Sequence, residues 1–495
     1  MKTYASLILI VLLALACKKD DKPAPPVSPA EGTREQLTLD SLYLYAKEIY
    51  LWYDALPDYA TFNPRQYATG GDVLSNYKRE LYLITQYKIN PTTGNPYEYS
   101  GYPGVPKYSF MEEGNVTAGG RKATVSLADK GNDYGIALTA AADADIRIRY
   151  VNPASPADLA GLVRGDRILS INGTTISSGS SSFVNAALEG STVTLNVKKN
   201  SSGNTSTITL TQSAYTTNPV FKQAVLTAGT QKVGYVAVSR FSTPSSFTPA
   251  LEQVFSSFAT AGVTALVIDL RYNGGGYTTA AEELVNLAAP SSLNGKTMYT
   301  EYFNTLLQNG KAPILQQQLY LDANGKPVSY QGRNATYADI DYSVGGNTYT
   351  FNKKGALQTV KQVVFIVTGN TASASELTIN SLKPYLPVKL VGQQTYGKPV
   401  GFFGIKIDAY TVYMSSFSMR NASGEGDYFH GMTPDYSAGD DVTHDFGDPA
   451  ETSLASALAY ISGNPGGRTG SVVTPLVHMG PSSFNGMIEN RAKFR

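Results

Sequence analysis

One cysteine, Cys17, and three histidines, His430, His444 and His478, are all that this 495-residue chain offers to thiol or imidazole chemistry. A single cysteine excludes a disulfide framework and a thiolate metal cluster, and leaves no spare thiol for catalysis. The histidines are far apart and lack metal-ligand spacing, so neither a metal nor a cofactor is expected. Charge is scarce as well. Charged residues make up 16% of the chain and the net charge is +1, which argues against nucleic acid or another polyanion as partner. The apolar run Ala5 to Ala16 is only twelve residues long, too short to cross a hydrocarbon core of about 30 Å as a helix.

What that run can be is a signal peptide: Lys2 precedes it, and it ends in Leu-Ala-Leu-Ala-Cys. Residues 1–16 then resemble a bacterial lipoprotein signal, with Cys17 as the acylated residue and lipid anchoring to the outer membrane of a Gram-negative cell as the implied location. The Lys-Asp-Asp run that follows resembles the signal sending some such lipoproteins to the cell surface. Pro-rich residues up to about Pro29 read as an extended tether over 17–36.

At this length two to four domains are expected. The spacing of Leu42, Tyr45, Ile49, Trp52 and Tyr53 predicts a helix capped by Asp40, and Gly71 to Tyr87 predicts a second. Residues 37–114 therefore read as a small helical domain with that aromatic stripe as its core. Short alternating strands fill 115–214. From 215 to 462, strand, helix and strand alternate through KVGYVAVSRFS, TPALEQVFSSFATAG and VTALVIDLRYNGGG, the pattern of layered α/β structure. Residues 294–357 form an irregular stretch, longer than a connector, that can be a lid, a groove wall or a surface insertion. GMTPDY, Gly431 to Tyr436, reads as an exposed loop, and 463–495 as a loose, Gly- and Pro-rich tail.

Chemistry concentrates in two motifs. In QVVFIVTGNTASASE a buried strand runs into small residues and then a short helix, which sets serine hydroxyls beside the positive helix end. Twenty-five residues beyond Ser373 stands Lys398, followed by the apolar residues Pro399, Val400, Phe402 and Phe403. A lysine acts as base only when neutral; moving its reference pKa near 10.4 to about 7 costs about 4.6 kcal/mol, which desolvation supplies in a buried site. Spacing alone leaves both Ser373 and Ser375 open as nucleophile. Gly274 to Gly276 is either a tight turn or a backbone that approaches a ligand closely; no Gly-Lys-Ser/Thr follows, so it is not a phosphate-binding P-loop. His430 lies near Asp427 and Asp435, but no Gly-x-Ser-x-Gly elbow accompanies a Ser-His-Asp triad.

SPADLAGLVRGDRILSING, Ser155 to Gly173, resembles the PDZ segment in which a short helix leads through Gly-Asp into a strand ending at Asn-Gly. Behind it, VIDLRYNGGG, TASASE and TYGK come in the order that resembles the C-terminal processing (tail-specific) peptidases, a Ser/Lys family of serine endopeptidases. That resemblance implies a multidomain α/β protein, a crotonase-like α/β protease core with an inserted PDZ domain. It implies Ser373 as nucleophile, Lys398 as base, and backbone N–H groups of Ala374 and Gly275 as oxyanion hole. Tyr134, Gly135, Ile136, Ala137 and Leu138 fall on the peptide-binding loop and strand, whose edge accepts substrate C-termini by β-addition. Polypeptides are the implied partners. Phe402 stands where the family commonly has a lysine-orienting glutamine, with Gln393, Gln394 or Glu376 as possible substitutes. A non-catalytic, surface-anchored peptide-binding scaffold is the alternative function.

Overall fold

The computed structural model describes residues 28–114, 125–322, 325–464, 477–479, 486–488, 491 and 493–495. Cys17, the signal segment and residues 17–27 of the tether lie outside them, and the end of the tether is already the start of a helix at Arg34.

The C-terminal half is organised on a six-stranded sheet in the order Val220–Ala228, Gln231–Val238, Ala265–Asp269, Gln362–Val367, Val388–Gly392, Tyr436–Ser437. The first pair is antiparallel and all later neighbours are parallel. Parallel strands are covered on both faces and so read as continuous apolar runs. Val363, Phe365 and Val367 point into one core with the helices Pro244–Ala261, Thr278–Ala288 and Ala374–Leu382. Val364 and Ile366 point the other way, against Leu454, Ala457 and Ile461 of the helix Thr452–Ile461.

The irregular stretch 294–357 is not a detached insertion. Its strand Thr297–Phe303 pairs with Phe417–Asn421, which pairs with Val400–Gly401 just beyond the lysine motif. The Gly431 to Tyr436 loop is also less exposed than its sequence suggests: Met432 is buried and exchanges hydrogen bonds with Thr395.

The N-terminal helix spans Arg34–Ile49, and Thr33 caps it in a box with Gln36. Asp40 is not the cap. It lies buried inside the helix, where it pairs with Arg65 at 2.7 Å and accepts from Tyr59. Leu42, Tyr45, Ile49 and Trp52 belong to the same apolar cluster as the sheet of the C-terminal half, and Phe110–Glu113 pairs with Tyr410–Tyr413. Residues 37–114 thus share one core with the C-terminal half instead of forming a separate one.

The domain inserted between them has its own core. Its sheet runs Ile136–Ala142, Asp145–Val151, Arg167–Ile171, Thr192–Lys198, Thr205–Thr211. Arg164 ties it to the C-terminal half through Asp440 at 2.7 Å and the Tyr272 hydroxyl at 2.6 Å. Burial pushes the Asp440 carboxyl up, but Arg164 and Arg271 outweigh it and hold it well below the usual carboxylate range. The tail is not loose where it is described: residues 477–479 and 486–488 are paired strands.

Candidate active site

The strand Gln362–Val367 delivers the chain into a turn pinned by two threonines. Thr371 Oγ1 donates to Leu270 O at 2.8 Å, and Thr368 N donates to Thr371 Oγ1 at 3.0 Å. Ser373 then adopts φ 63°, ψ −114° before the helix Ala374–Leu382 begins. For a residue with a Cβ this is strained, by about 1–3 kcal/mol, and such strain persists only where its surroundings impose it. The conformation is a sharp strand-to-helix elbow made without the glycines that usually flank one. Ser373 is fully buried, and its Oγ has no hydrogen-bond partner. Ser375, by contrast, donates its hydroxyl to Asn273 O at 2.9 Å. Of the two serines, only Ser373 keeps an uncommitted hydroxyl at the helix start, beside the Ala374 N–H that by position has no intrahelical acceptor.

Glu376, one turn into that helix, joins the two motifs. Its Oε2 accepts from Ser373 N at 2.9 Å and from Lys398 N at 2.8 Å, while its Oε1 accepts from Gly397 N at 2.8 Å and from Thr395 Oγ1 at 2.5 Å. Burial pushes this carboxyl up, and the Thr395 hydroxyl and three backbone N–H groups oppose the push. One carboxylate oxygen therefore holds the backbones of both Ser373 and Lys398. Gly397 sits at φ 83°, where a Cβ would stand 2.3 Å from Gly431 N, so the turn that presents Lys398 needs glycine.

Lys398 is 1% exposed. Its Nζ lies 4.4 Å from the ring centroid of Phe402 and 5.9 Å from that of Tyr108. Where the resemblance leads one to expect glutamine, Phe402 supplies a ring face. Glu376 meets Lys398 through the backbone N–H. Tyr108 also donates its hydroxyl to Gly397 O at 2.6 Å, and buried Glu98 accepts from the N–H groups of Tyr108 and Ser109 and from the Ser415 hydroxyl. The N-terminal region thus builds one wall of the lysine pocket. Neither Tyr108 nor Glu98 stands out in sequence, because each works only across a long chain separation.

Gly275 lies beside Ser373: a Cβ on it would stand 3.0 Å from Ser373 Cβ. Its N–H, however, donates to Asn273 Oδ1 at 2.9 Å, so in this conformation it is not open to an oxyanion. Asn273 also donates from Nδ2 to Val238 O and accepts Ala372 N at its carbonyl, fastening the glycine run to the serine turn. The Asn-Gly-Gly-Gly run carried the only sequence signal for that role.

His430 is exposed, Asp427 pairs with Arg420, and Asp435 pairs with Lys389 at 2.7 Å; nothing in this set forms a triad with Ser373. Among the described residues, no cluster of His, Cys, Asp or Glu could hold a metal ion. In the inserted domain, Gly135 has φ 77°, and Tyr134, Ile136, Ala137 and Leu138 are buried. The outer edge of Ile136–Ala142 carries residues 477–479 of the same chain.

Residues 232–438 match the family model for peptidase family S41, and residues 147–199 match that for the PDZ domain. The chloroplastic C-terminal processing peptidase of Tetradesmus obliquus is 28% identical over 306 residues, 59% of this chain and 56% of its own. A carboxyl-terminal-processing protease of Picosynechococcus sp. (strain ATCC 27264 / PCC 7002 / PR-6) is 26% identical over 285 residues, 56% of this chain and 57% of its own. The chain thus matches a little over half the length of these curated relatives. In fold it is similar to a solved structure from Bacteroides fragilis NCTC 9343 named for the S41 proteases, at a TM-score of 0.58 and 22% identity, covering 89% of this chain and 99% of the other. With a peptidase family S41 match behind a PDZ match, the chain is a multidomain α/β protein similar to the C-terminal processing peptidases of family S41.

Proposed function

We propose that this protein is a serine endopeptidase that hydrolyses extended or unfolded polypeptides through a Ser373/Lys398 dyad, with its PDZ domain recognising substrate C-termini. The observation that carries this reading is the single Glu376 oxygen that accepts from both Ser373 N and Lys398 N. Neutral Lys398 takes the proton from Ser373 Oγ as that oxygen attacks the scissile carbonyl. The oxyanion gathers at the Ala374 N–H and the Gly274–Gly276 backbone, provided Asn273 gives up the Gly275 N–H. The lysine ammonium then protonates the departing amine, and water, deprotonated by the same lysine, frees the acyl group from Ser373. Burial of Lys398 favours its neutral form, since an ammonium out of water is costly.

Anchoring belongs to the same proposal: acylation at Cys17 holds the enzyme at the outer membrane, with 17–36 as tether. Palmitate incorporation that vanishes in Cys17→Ser is the expected outcome. For the dyad, degradation of unstructured casein by wild type, Ser373→Ala and Lys398→Ala is compared. Both variants are expected to lose at least about 10³-fold in kcat. Equal activity in all three would refute the dyad. Binding of free-carboxylate peptides with no cleavage by any of them would establish the scaffold alternative.

A further inference from the structure

Two exposed strand edges of this protein are filled by one stretch of its own chain. At the PDZ domain, Val477–Met479 adds antiparallel to Ile136–Ala142, with Val477 opposite Ala140 and Met479 opposite Leu138. Met479 is 2% exposed and joins the PDZ core. This is how a strand-adding peptide ligand sits.

In the cleft, Gly486–Ile488 adds parallel to Gly275–Tyr277. Gly486 N donates to Gly274 O at 3.1 Å, Thr278 Oγ1 donates to Ile488 O at 3.4 Å, and Ile488 bridges to Phe402 on its other side. The segment is therefore wedged between the glycine run and the ring that faces Lys398. It also lies beside Ser373: a Cβ built on Gly275 would stand 2.3 Å from Gly486 O and 3.0 Å from Ser373 Cβ, so that carbonyl and the Ser373 side chain flank the same glycine.

Beyond the cleft the chain is clasped by the 294–357 stretch and its neighbours. Arg491 pairs with Glu282 at 2.8 Å and covers the Tyr349 ring at 4.1 Å. Lys493 O accepts Asp341 N, Arg495 N donates to Asp339 O, and Phe494 stacks on Tyr330.

We infer that the edge Gly274–Thr278 facing Phe402 is the peptide-binding strand of the cleft, and that Gly486–Ile488 there and Val477–Met479 at the PDZ edge act as resident ligands, blocking cleft and PDZ edge together. The word ligand rests on the peptidase reading above. Main-chain pairing makes the site tolerant of sequence. The occupant's shape adds two preferences: a small residue against Gly275, and a branched apolar residue in the nearly closed position of Ile488, which is 9% exposed. Six residues, and so seven Cα–Cα steps, separate Met479 from Gly486, so a peptide reaching both edges spans no more than about 25 Å between them. Order along the chain explains why the tail blocks and is not consumed. A substrate held by its C-terminus at the PDZ edge offers the cleft a bond on the N-terminal side of that contact. The tail offers residues on the C-terminal side.

The test uses the full chain carrying Ser373→Ala and a specific protease site inserted after Ser471, cut after folding. The probe is a fluorescein-labelled synthetic peptide of residues 477–495, followed by anisotropy. Micromolar binding after the cut and exchange of the released tail, with at least 50-fold weaker binding to uncut protein, is expected. Peptides carrying Gly486→Val or Ile488→Asp should bind at least tenfold more weakly. Equal binding to cut and uncut chains, or no exchange of the tail after cutting, would overturn the inference and make 477–495 an ordinary structural strand. With Ser373 intact, cutting should raise casein hydrolysis at least fivefold. If the peptide binds as stated but no Ser373 protein hydrolyses casein, the peptidase reading fails while the resident ligand stands.

Discussion

The PDZ edge and the cleft at Ser373 both receive an extended segment, yet they are built on opposite principles. In the PDZ domain the receiving surface is a seven-residue strand, Ile136–Ala142, and what it offers is backbone. The cleft's receiving strand has three residues, Gly275–Tyr277, and what matters lies around it: Ser373 in a strained elbow, Lys398 in a closed pocket, and Glu376 binding the two. Long backbone edges withstand many substitutions. A constellation assembled from three separate chain segments does not, because each member is aimed by another.

That contrast is most sharply broken at the two serines. Ser373→Ala is expected to abolish hydrolysis, by about 10⁴-fold or more in kcat, with peptide binding intact. Ser375→Ala, which removes only the bond to Asn273 O, should cost less than tenfold. Steady-state casein kinetics on the pair checks this, and similar losses in both would discard the assignment by hydroxyl partner.

Glu376→Gln comes next. Glutamine must turn an NH₂ group toward either the N–H pair of Ser373 and Lys398 or the donors at Gly397 and Thr395. A drop of about 100-fold in kcat with KM nearly unchanged is expected, since Glu376 positions the dyad without touching substrate.

Gly135→Val tests the other side of the comparison. Its Cβ would fall 2.0 Å from Ser155 Cβ at a backbone angle that disfavours valine. KM for long polypeptides should rise by about tenfold, with hydrolysis of a short peptide that cannot reach the PDZ edge unaffected. Equal damage to both substrates would mean that the PDZ domain does not deliver the chain.

The smallest effect concerns Glu80, a buried carboxylate unlike Glu376 in having both oxygens without partners. Burial pushes its carboxyl well above the usual range, and Asp40 pushes it further. The folded state therefore keeps a proton that the unfolded chain releases above about pH 4.3. Its stability contribution is complete below that pH and is lost as pH rises through the folded value. Glu80→Met should raise the melting temperature by a few degrees at pH 8, about 1–3 kcal/mol, and by less at pH 5. Calorimetry at both pH values decides; a larger gain at pH 5 would contradict the sign.

Much of this was legible in the chain itself, for local reasons. Strand-to-helix periodicity, the PDZ segment, and three motifs in fixed order are properties of neighbouring residues. So are the narrow choice between Ser373 and Ser375 and the selection of Lys398. Asp40 shows where local reading errs: it looks like a cap, but it pairs with Arg65 and lies buried inside a helix that begins six residues earlier, at Arg34 after its cap Thr33.

What only the tertiary structure decided is which hydroxyl stays uncommitted, and what aims the lysine. Ser375 is bound by the carbonyl of Asn273, 102 residues away in sequence, and the lysine pocket is closed by Tyr108, which Glu98 holds in place. The strand that fills the cleft comes from a Gly- and Pro-containing tail without apolar periodicity. It pairs because a sheet edge supplies the main-chain partners that its own sequence cannot encode.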